Sequence, residues 1–245
     1  MRRLITHAVT RAVLAYAGVT LVMALSYEMM PVHVLGEDLS MAVTLTVVAC
    51  LLVLPTLASR RFRLLRAFRI PVAGPNLTGL WAWLSAAAVV LLALALLILL
   101  AGGDPMAAST APISVVLEEL IFRGLPLALL LGVKSSLKGR MAVGLVSSLT
   151  FAALHFSTLP IMYVDRFVFA CLALVLAFKF ESLWPAVLYH VLANIAALVT
   201  ADLMYLPGYA WLYIPLDITI FAMVFLFCSN STIRRTPQID PVKVP

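Results

Sequence analysis

Long apolar segments divide the chain into eight predicted helices. Each runs about 20 residues between charged, proline or glycine positions, the length an α-helix needs to cross the hydrocarbon core of a bilayer. The segments are 8–27, 40–58, 79–101, 112–131, 141–159, 163–179, 183–203 and 210–228. The pattern therefore predicts an all-α, polytopic membrane bundle of about eight transmembrane helices.

Composition and charge support this interpretation. The chain is 64% hydrophobic and only 11% charged, against about 25% charged residues in soluble domains. Nearly all of its 17 lysine and arginine residues fall on one side of the predicted spans, which predicts that both termini are cytoplasmic. This placement explains the net charge of +6 by membrane orientation, so we expect a lipid bilayer and no nucleic acid as a partner.

The same patterns predict the organisation and location of the protein. Residues 1–245 read as a single membrane domain, and the polar segment 229–245 reads as a flexible cytoplasmic tail. We expect the protein in the cell (inner) membrane of a prokaryote.

The fourth apolar segment contains three ionisable residues, which are costly near the centre of a bilayer and usually mark a working site. Its sequence is APISVVLEELIFRGLPLALLL, with Glu118, Glu119 and Arg123. Glu119 and Arg123 are one helical turn apart and can form an ion pair. Glu118 points about 100° away from Glu119, toward a cavity, where a carboxylate is a candidate general base.

Polar residues recur at helical spacing on two later segments. Phe151 and His155 are four residues apart on the fifth segment, and His190 and Asn194 are four apart on the seventh. A lone intramembrane histidine is more often a packing residue than a catalyst. Because the pattern recurs on three helices, it favours one inward-facing site.

Together these motifs, E-E-x-x-x-R, F-x-x-x-H and H-x-x-x-N, resemble those of the CPBP family, the CAAX protease and bacteriocin-processing proteins, also called the ABI family. This family includes the Ras-converting CAAX endopeptidases. All three motifs are present in family order, within a predicted catalytic core at 112–203. The first three helices and the last match no pattern of the family.

The resemblance implies an intramembrane endopeptidase that cleaves a membrane-anchored protein or peptide. It assigns water activation to Glu118 with help from His155, and stabilisation of the tetrahedral oxyanion to His190 and Asn194. Glu119, Arg123 and Phe151 are then supporting residues. Amide hydrolysis needs such a base and such donors, and preorganised donors act most strongly in a dry site.

Other interpretations stay open at this stage. Zinc is possible, with Glu118, His155 and His190 as ligands and Glu119 as the next candidate base, although no H-E-x-x-H motif is present. Intramembrane Glu, Arg and His side chains also occur in proton- or ion-coupled transporters, but the inverted repeats of such proteins are not evident. A non-catalytic scaffold or immunity protein is the third alternative.

Two charged residues outside the motifs, Asp217 and Arg166, also need an explanation. Asp217 stands alone in the last apolar segment, and we expect it to hydrogen-bond a neighbouring helix rather than line the cavity. Arg166 is predicted to pair with Asp165, with contact to a substrate carboxylate as the alternative.

Overall fold

Helices are the regular elements of the computed structural model. The structure describes residues 2–29, 37–50, 105–130, 137–155, 159–200 and 208–233, together with Leu92, Ala95, Leu96 and Ile98. No strand occurs in these ranges, so the predicted all-α class is confirmed for them. The predicted segment 79–101 lies outside the described residues except for the last four named, which are helical.

Most predicted segments correspond to one helix. The helices are α1 (Arg2–Met29), α2 (Glu37–Val48), α3 (Pro105–Glu119), α4 (Leu125–Leu130), α5 (Leu137–Leu154), α6 (Pro160–Phe180), α7 (Trp184–Val199) and α8 (Tyr213–Ile233). A short 3₁₀ turn, Ala210–Leu212, precedes α8. The last helix ends later than predicted: it was expected to end at residue 228, and it continues through Ser229 to Ile233.

Within the described ranges, three helical stretches are long and apolar enough to cross a membrane: Leu137–Leu154, Pro160–Phe180 and Ala210–Ser229. Shorter apolar stretches are Thr10–Leu25, Leu39–Val48 and Trp184–Val199. These helices suit an integral membrane protein. The number of spans and the cytoplasmic placement of the termini stay predictions.

The fourth predicted segment is not one continuous α-helix. A single π-helical turn, Leu120–Gly124, separates α3 from α4, and the N–H of Leu125 donates to the carbonyl of Leu120 five residues earlier. Pro126 follows directly, and proline removes the i→i−4 hydrogen bond and crowds the carbonyl four residues before it. Proline thus accounts for the interruption, and π turns of this kind are frequent at functional sites.

The fifth helix ends earlier than predicted. It was expected to run to residue 159, but α5 ends at Leu154, and His155 follows it in a bend. Leu159 is extended, with φ −100° and ψ 116°, as sterics require of a residue that precedes proline. His155 therefore lies at a helix end rather than within a helix.

Close packing of the helices surrounds the π turn. Helix α5 packs against α1 and α6, and α7 packs against α3, α6 and α8. Gly144 allows the approach of α5 to α6, because a Cβ atom there would lie 2.7 Å from Leu174 Cδ2. The side chains of Ile121 and Phe122 in the π turn are buried in the resulting core, which brings α3, α5, α6 and α7 together around the candidate site.

Candidate active site

Glu119 joins two parts of the site. Its Oε2 lies 3.1 Å from Arg123 Nε, as predicted for an ion pair one turn apart. Its Oε1 lies 2.8 Å from His190 Nδ1 on α7, a contact that the sequence did not predict. All three side chains are buried. Glu119 therefore pairs with Arg123 and also fixes the imidazole of His190.

Two aromatic rings cover the buried guanidinium of Arg123. Its Cζ lies 4.5 Å from the centroid of Phe151 and 5.5 Å from that of Phe169. No described residue accepts a hydrogen bond from its two terminal nitrogens. The negative faces of the rings attract the cation, so Phe151 and Phe169 partly replace the missing hydrogen-bond acceptors.

Glu118 faces two imidazoles rather than Arg123. Its Oε2 lies 3.7 Å from His155 Nε2 and 3.9 Å from His190 Nε2. These separations are too long for direct hydrogen bonds, and Glu118 Oε2 is buried without a hydrogen-bond partner among the described residues. The side chains of His155 and Glu118 are 34% and 17% exposed, so the site opens beside His155.

The hydrogen-bond partners of the two histidines define their tautomers. His155 Nδ1 lies 2.7 Å from the carbonyl oxygen of Phe151, and His190 Nδ1 lies 2.8 Å from a carboxylate oxygen. Both partners accept only, so each Nδ1 carries the hydrogen and donates. In a neutral ring the Nε2 atom then presents a lone pair to Glu118, and Nε2 donates only when the ring is an imidazolium.

The arrangement of Glu118, His155 and His190 can be compared with that of a zinc site. Histidines that bind metals usually donate their other ring N–H to a carboxylate or carbonyl, as both do here. However, tetrahedral zinc ligands are roughly 3.4 Å apart, whereas the oxygen of Glu118 lies 3.7 and 3.9 Å from the two nitrogens. Among the described residues, no group of three His, Cys, Asp or Glu side chains has a metal-binding arrangement. Binding would thus require the ligands to approach by a few tenths of an ångström.

Asn194 lies one turn beyond His190 on α7 and is partly exposed. Aromatic rings contact both histidines. The ring centroids of Phe151 and His155 are 4.1 Å apart, and those of Phe169 and His190 are 4.8 Å apart. The structure thus brings Glu118, Glu119, His155 and His190 together as the motifs predicted, with Phe151 in contact with both histidines.

Sequence reasoning missed three buried residues that support this arrangement. Phe169 is one of several aromatic residues in the sixth apolar segment and belongs to none of the three motifs. Tyr16 and Ser147 form a hydrogen bond of 2.9 Å beneath the π turn. Neither residue belongs to a motif, but a hydroxyl buried in an apolar helix requires a hydrogen-bond partner, and this requirement was a signal in the sequence.

Asp165 and Asp217 form a second buried polar group, between α6 and α8. Asp217 lies close enough to Asp165 for the two carboxyl groups to interact, but neither oxygen of Asp165 has a hydrogen-bond partner among the described residues, so the expected hydrogen bond from Asp217 to a neighbouring helix stays a prediction. Arg166 forms no direct ion pair with a described carboxylate. The predicted Asp165–Arg166 pair therefore makes no direct contact, although the charge of Arg166 acts on the buried Asp165 from a longer distance.

Part of the chain is similar to a known protein family. Residues 104–196 match the family model described as type II CAAX prenyl endopeptidase Rce1-like. No curated protein and no solved structure matches the chain. The segment that carries Glu118, His155, His190 and Asn194 is therefore similar to the Rce1-like CAAX prenyl endopeptidases, and the resemblance predicted from the three motifs is confirmed.

Proposed function

We propose that the protein is an intramembrane endopeptidase that hydrolyses a peptide bond in a membrane-anchored protein or peptide. One observation carries the proposal: the Glu118 carboxylate lies between two imidazole Nε2 atoms at 3.7 and 3.9 Å, beside the opening of the site. The Rce1-like family match favours peptidase chemistry over transport or a scaffold role.

In this proposal Glu118 and His155 bind the attacking water. Both Glu118 Oε2 and the neutral His155 Nε2 are acceptors, so one water molecule can donate a hydrogen to each. Its oxygen lone pair then faces the substrate carbonyl. Fixing a reactant in this way lowers the entropic part of the barrier, and a positioned base contributes about 10²–10⁴-fold to the rate.

The proton transfers follow from the same contacts. As the water oxygen bonds to the carbonyl carbon, its proton passes to Glu118 and the carbonyl oxygen becomes an oxyanion. Collapse of this tetrahedral intermediate breaks the C–N bond, and Glu118 returns the proton to the departing amine. No net proton or electron is required.

His190 and Asn194 are the proposed donors to the oxyanion. Since His190 Nδ1 donates to Glu119, its Nε2 donates only from the imidazolium, for which the Glu119 carboxylate supplies the counter-charge. The amide NH₂ of Asn194, one turn away, is the second donor. Donors fixed before the reaction stabilise the developing charge most strongly in a site that excludes water.

The proposed substrate class comes from the family. A CAAX prenyl endopeptidase cleaves beside a prenylated cysteine near a carboxyl terminus. We therefore propose a substrate anchored in the membrane by a lipidated cysteine and cleaved to release its last few residues. The requirement for a lipid on the cysteine is a separate question, which cleavage of an unlipidated peptide tests.

Purified protein in liposomes tests this function. The liposomes are incubated with a peptide whose farnesylated cysteine is followed by three carboxyl-terminal residues. Mass spectrometry follows the release of this tripeptide. We expect release by the wild type, loss of release with Glu118→Gln, and unchanged release with Glu181→Gln, which neutralises an exposed carboxylate in the turn after α6. Wild-type rates with both variants would contradict the proposal, and equal cleavage of the unfarnesylated peptide would remove only the lipid requirement.

A further inference from the structure

We propose that Tyr16 and Ser147 act as positioning residues that hold the π turn in the form that aligns the carboxylates of the site. The expected effect on catalysis rests on the proposed function, whereas the stabilisation of the π turn rests on the hydrogen bonds alone. Tyr16 belongs to α1, which lies outside the segment that matches the family model. The inference therefore assigns a role in the site to a helix that no motif marks.

Pro126 removes the usual hydrogen-bond donor to one carbonyl of the π turn, that of Phe122. In an α-helix the carbonyl of Phe122 accepts from the N–H four residues later, which is position 126. Pro126 has no N–H. A buried carbonyl without a donor is destabilising, and Phe122 is buried. The turn thus requires a donor from another helix.

A chain of two hydroxyl groups supplies this donor. Ser147 Oγ on α5 lies 2.6 Å from the carbonyl oxygen of Phe122 and donates to it, since a carbonyl only accepts. The hydroxyl of Tyr16 lies 2.9 Å from Ser147 Oγ and donates to it in turn. It also lies 3.3 Å from the carbonyl oxygen of Ile121. All of these groups are buried.

The hydroxyl chain reaches the site through the turn itself. Phe122 lies between Glu119 and Arg123, and its ring contacts Tyr16 at 5.9 Å and Phe151 at 5.1 Å between centroids. Phe151 in turn contacts His155. Loss of the hydroxyl chain would therefore let the turn shift and displace the carboxylates from the two imidazoles.

Hydroxyl deletions test the proposal. We compare Tyr16→Phe, Ser147→Ala and the double variant with two controls, Thr150→Val and Thr20→Val. The controls also delete hydroxyl groups of α5 and α1, but those groups bond to carbonyls within their own helices. The assay is cleavage of the farnesylated peptide in liposomes, with kcat expressed per folded protein.

We expect kcat to fall roughly tenfold or more with Tyr16→Phe and Ser147→Ala at unchanged KM, because small misplacements of catalytic groups have large effects. The double variant should lose less than the product of the two single losses, since both hydroxyls serve one acceptor, the carbonyl oxygen of Phe122, at 2.6 Å from Ser147 Oγ and 3.4 Å from the Tyr16 hydroxyl. Two independent structural losses would instead multiply, and that result would overturn the proposal. Wild-type kcat in both single variants would also overturn it.

Hydrogen exchange separates this proposal from the proposed function. The amides of residues 120–125 should exchange faster in Tyr16→Phe and Ser147→Ala than in the wild type or the controls. This measurement judges the hydroxyl chain even if Glu118→Gln cleaves normally and the proposed function fails. Unchanged exchange in this segment would show that the hydroxyl chain does not hold the turn.

Discussion

Neutralising Glu119 should lower the stability of the folded protein much more than neutralising Glu118, although the two residues are adjacent. Glu119→Gln keeps an oxygen that can accept from His190 Nδ1, but it removes the negative charge 3.1 Å from Arg123 Nε. Arg123 is 1% exposed and is left with two aromatic faces as its partners among the described residues. The variant thus buries an unpaired charge.

The magnitude follows from the burial of the pair. Removing one partner of a buried ion pair costs ~3–5 kcal/mol, which corresponds to a fall in Tm of roughly 6–20 °C in a chain of this size. Glu118 is partly exposed and makes no contact shorter than 3.7 Å with a histidine. For Glu118→Gln we therefore expect a change within about 1 kcal/mol.

Thermal unfolding of both variants in detergent, followed by circular dichroism, measures this difference. A second variant checks the cause: Glu119→Gln combined with Arg123→Met removes the unpaired charge and should recover a large part of the lost stability. An unchanged Tm for Glu119→Gln would refute the reasoning. A double variant less stable than Glu119→Gln alone would refute the assignment to charge burial.

Three further predictions concern the oxyanion donor, the helix packing and the metal. Asn194→Ala should lower kcat by about 10²–10³-fold while Tm stays at the wild-type value, and a steady-state cleavage assay checks this. Gly144→Val should reduce stability by about 1–3 kcal/mol, measured by thermal unfolding, because even a Cβ there would lie 2.7 Å from Leu174 Cδ2. Treatment with a chelator should leave cleavage unchanged, whereas loss of activity that zinc restores would assign His155 Nε2 and His190 Nε2 to a metal.

Local sequence spacing predicted part of the site. The Glu119–Arg123 ion pair follows from a spacing of one helical turn, and the hydrophobic pattern predicted the all-α class. The contact between Phe151 and His155 was also predicted from spacing, and it forms even though the helix ends before His155.

Contacts between distant helices could not be predicted in this way. Glu119 and His190 are separated by 71 positions, and only the packing of α3 against α7 brings them together. This contact changes the chemistry, because it fixes the hydrogen of His190 on Nδ1. Phe169 likewise acquires its role only from its position beside Arg123 and His190.

The π turn was a missed prediction with a local signal. Pro126 stands within the fourth apolar segment, and an interior proline kinks or breaks an α-helix. Length and hydropathy nevertheless favoured one continuous helix over 112–131. The position of the donor that compensates for the proline, Ser147, depended on tertiary structure alone.

The most direct test of the account is the single-turnover rate of peptide cleavage by Glu118→Gln in liposomes, measured against the wild type with the farnesylated peptide. Because Glu118 is the proposed base, the rate should fall by about 10²–10⁴-fold, with a Tm close to that of the wild type. A rate within threefold of the wild type would contradict the assignment of Glu118 as the residue that activates water.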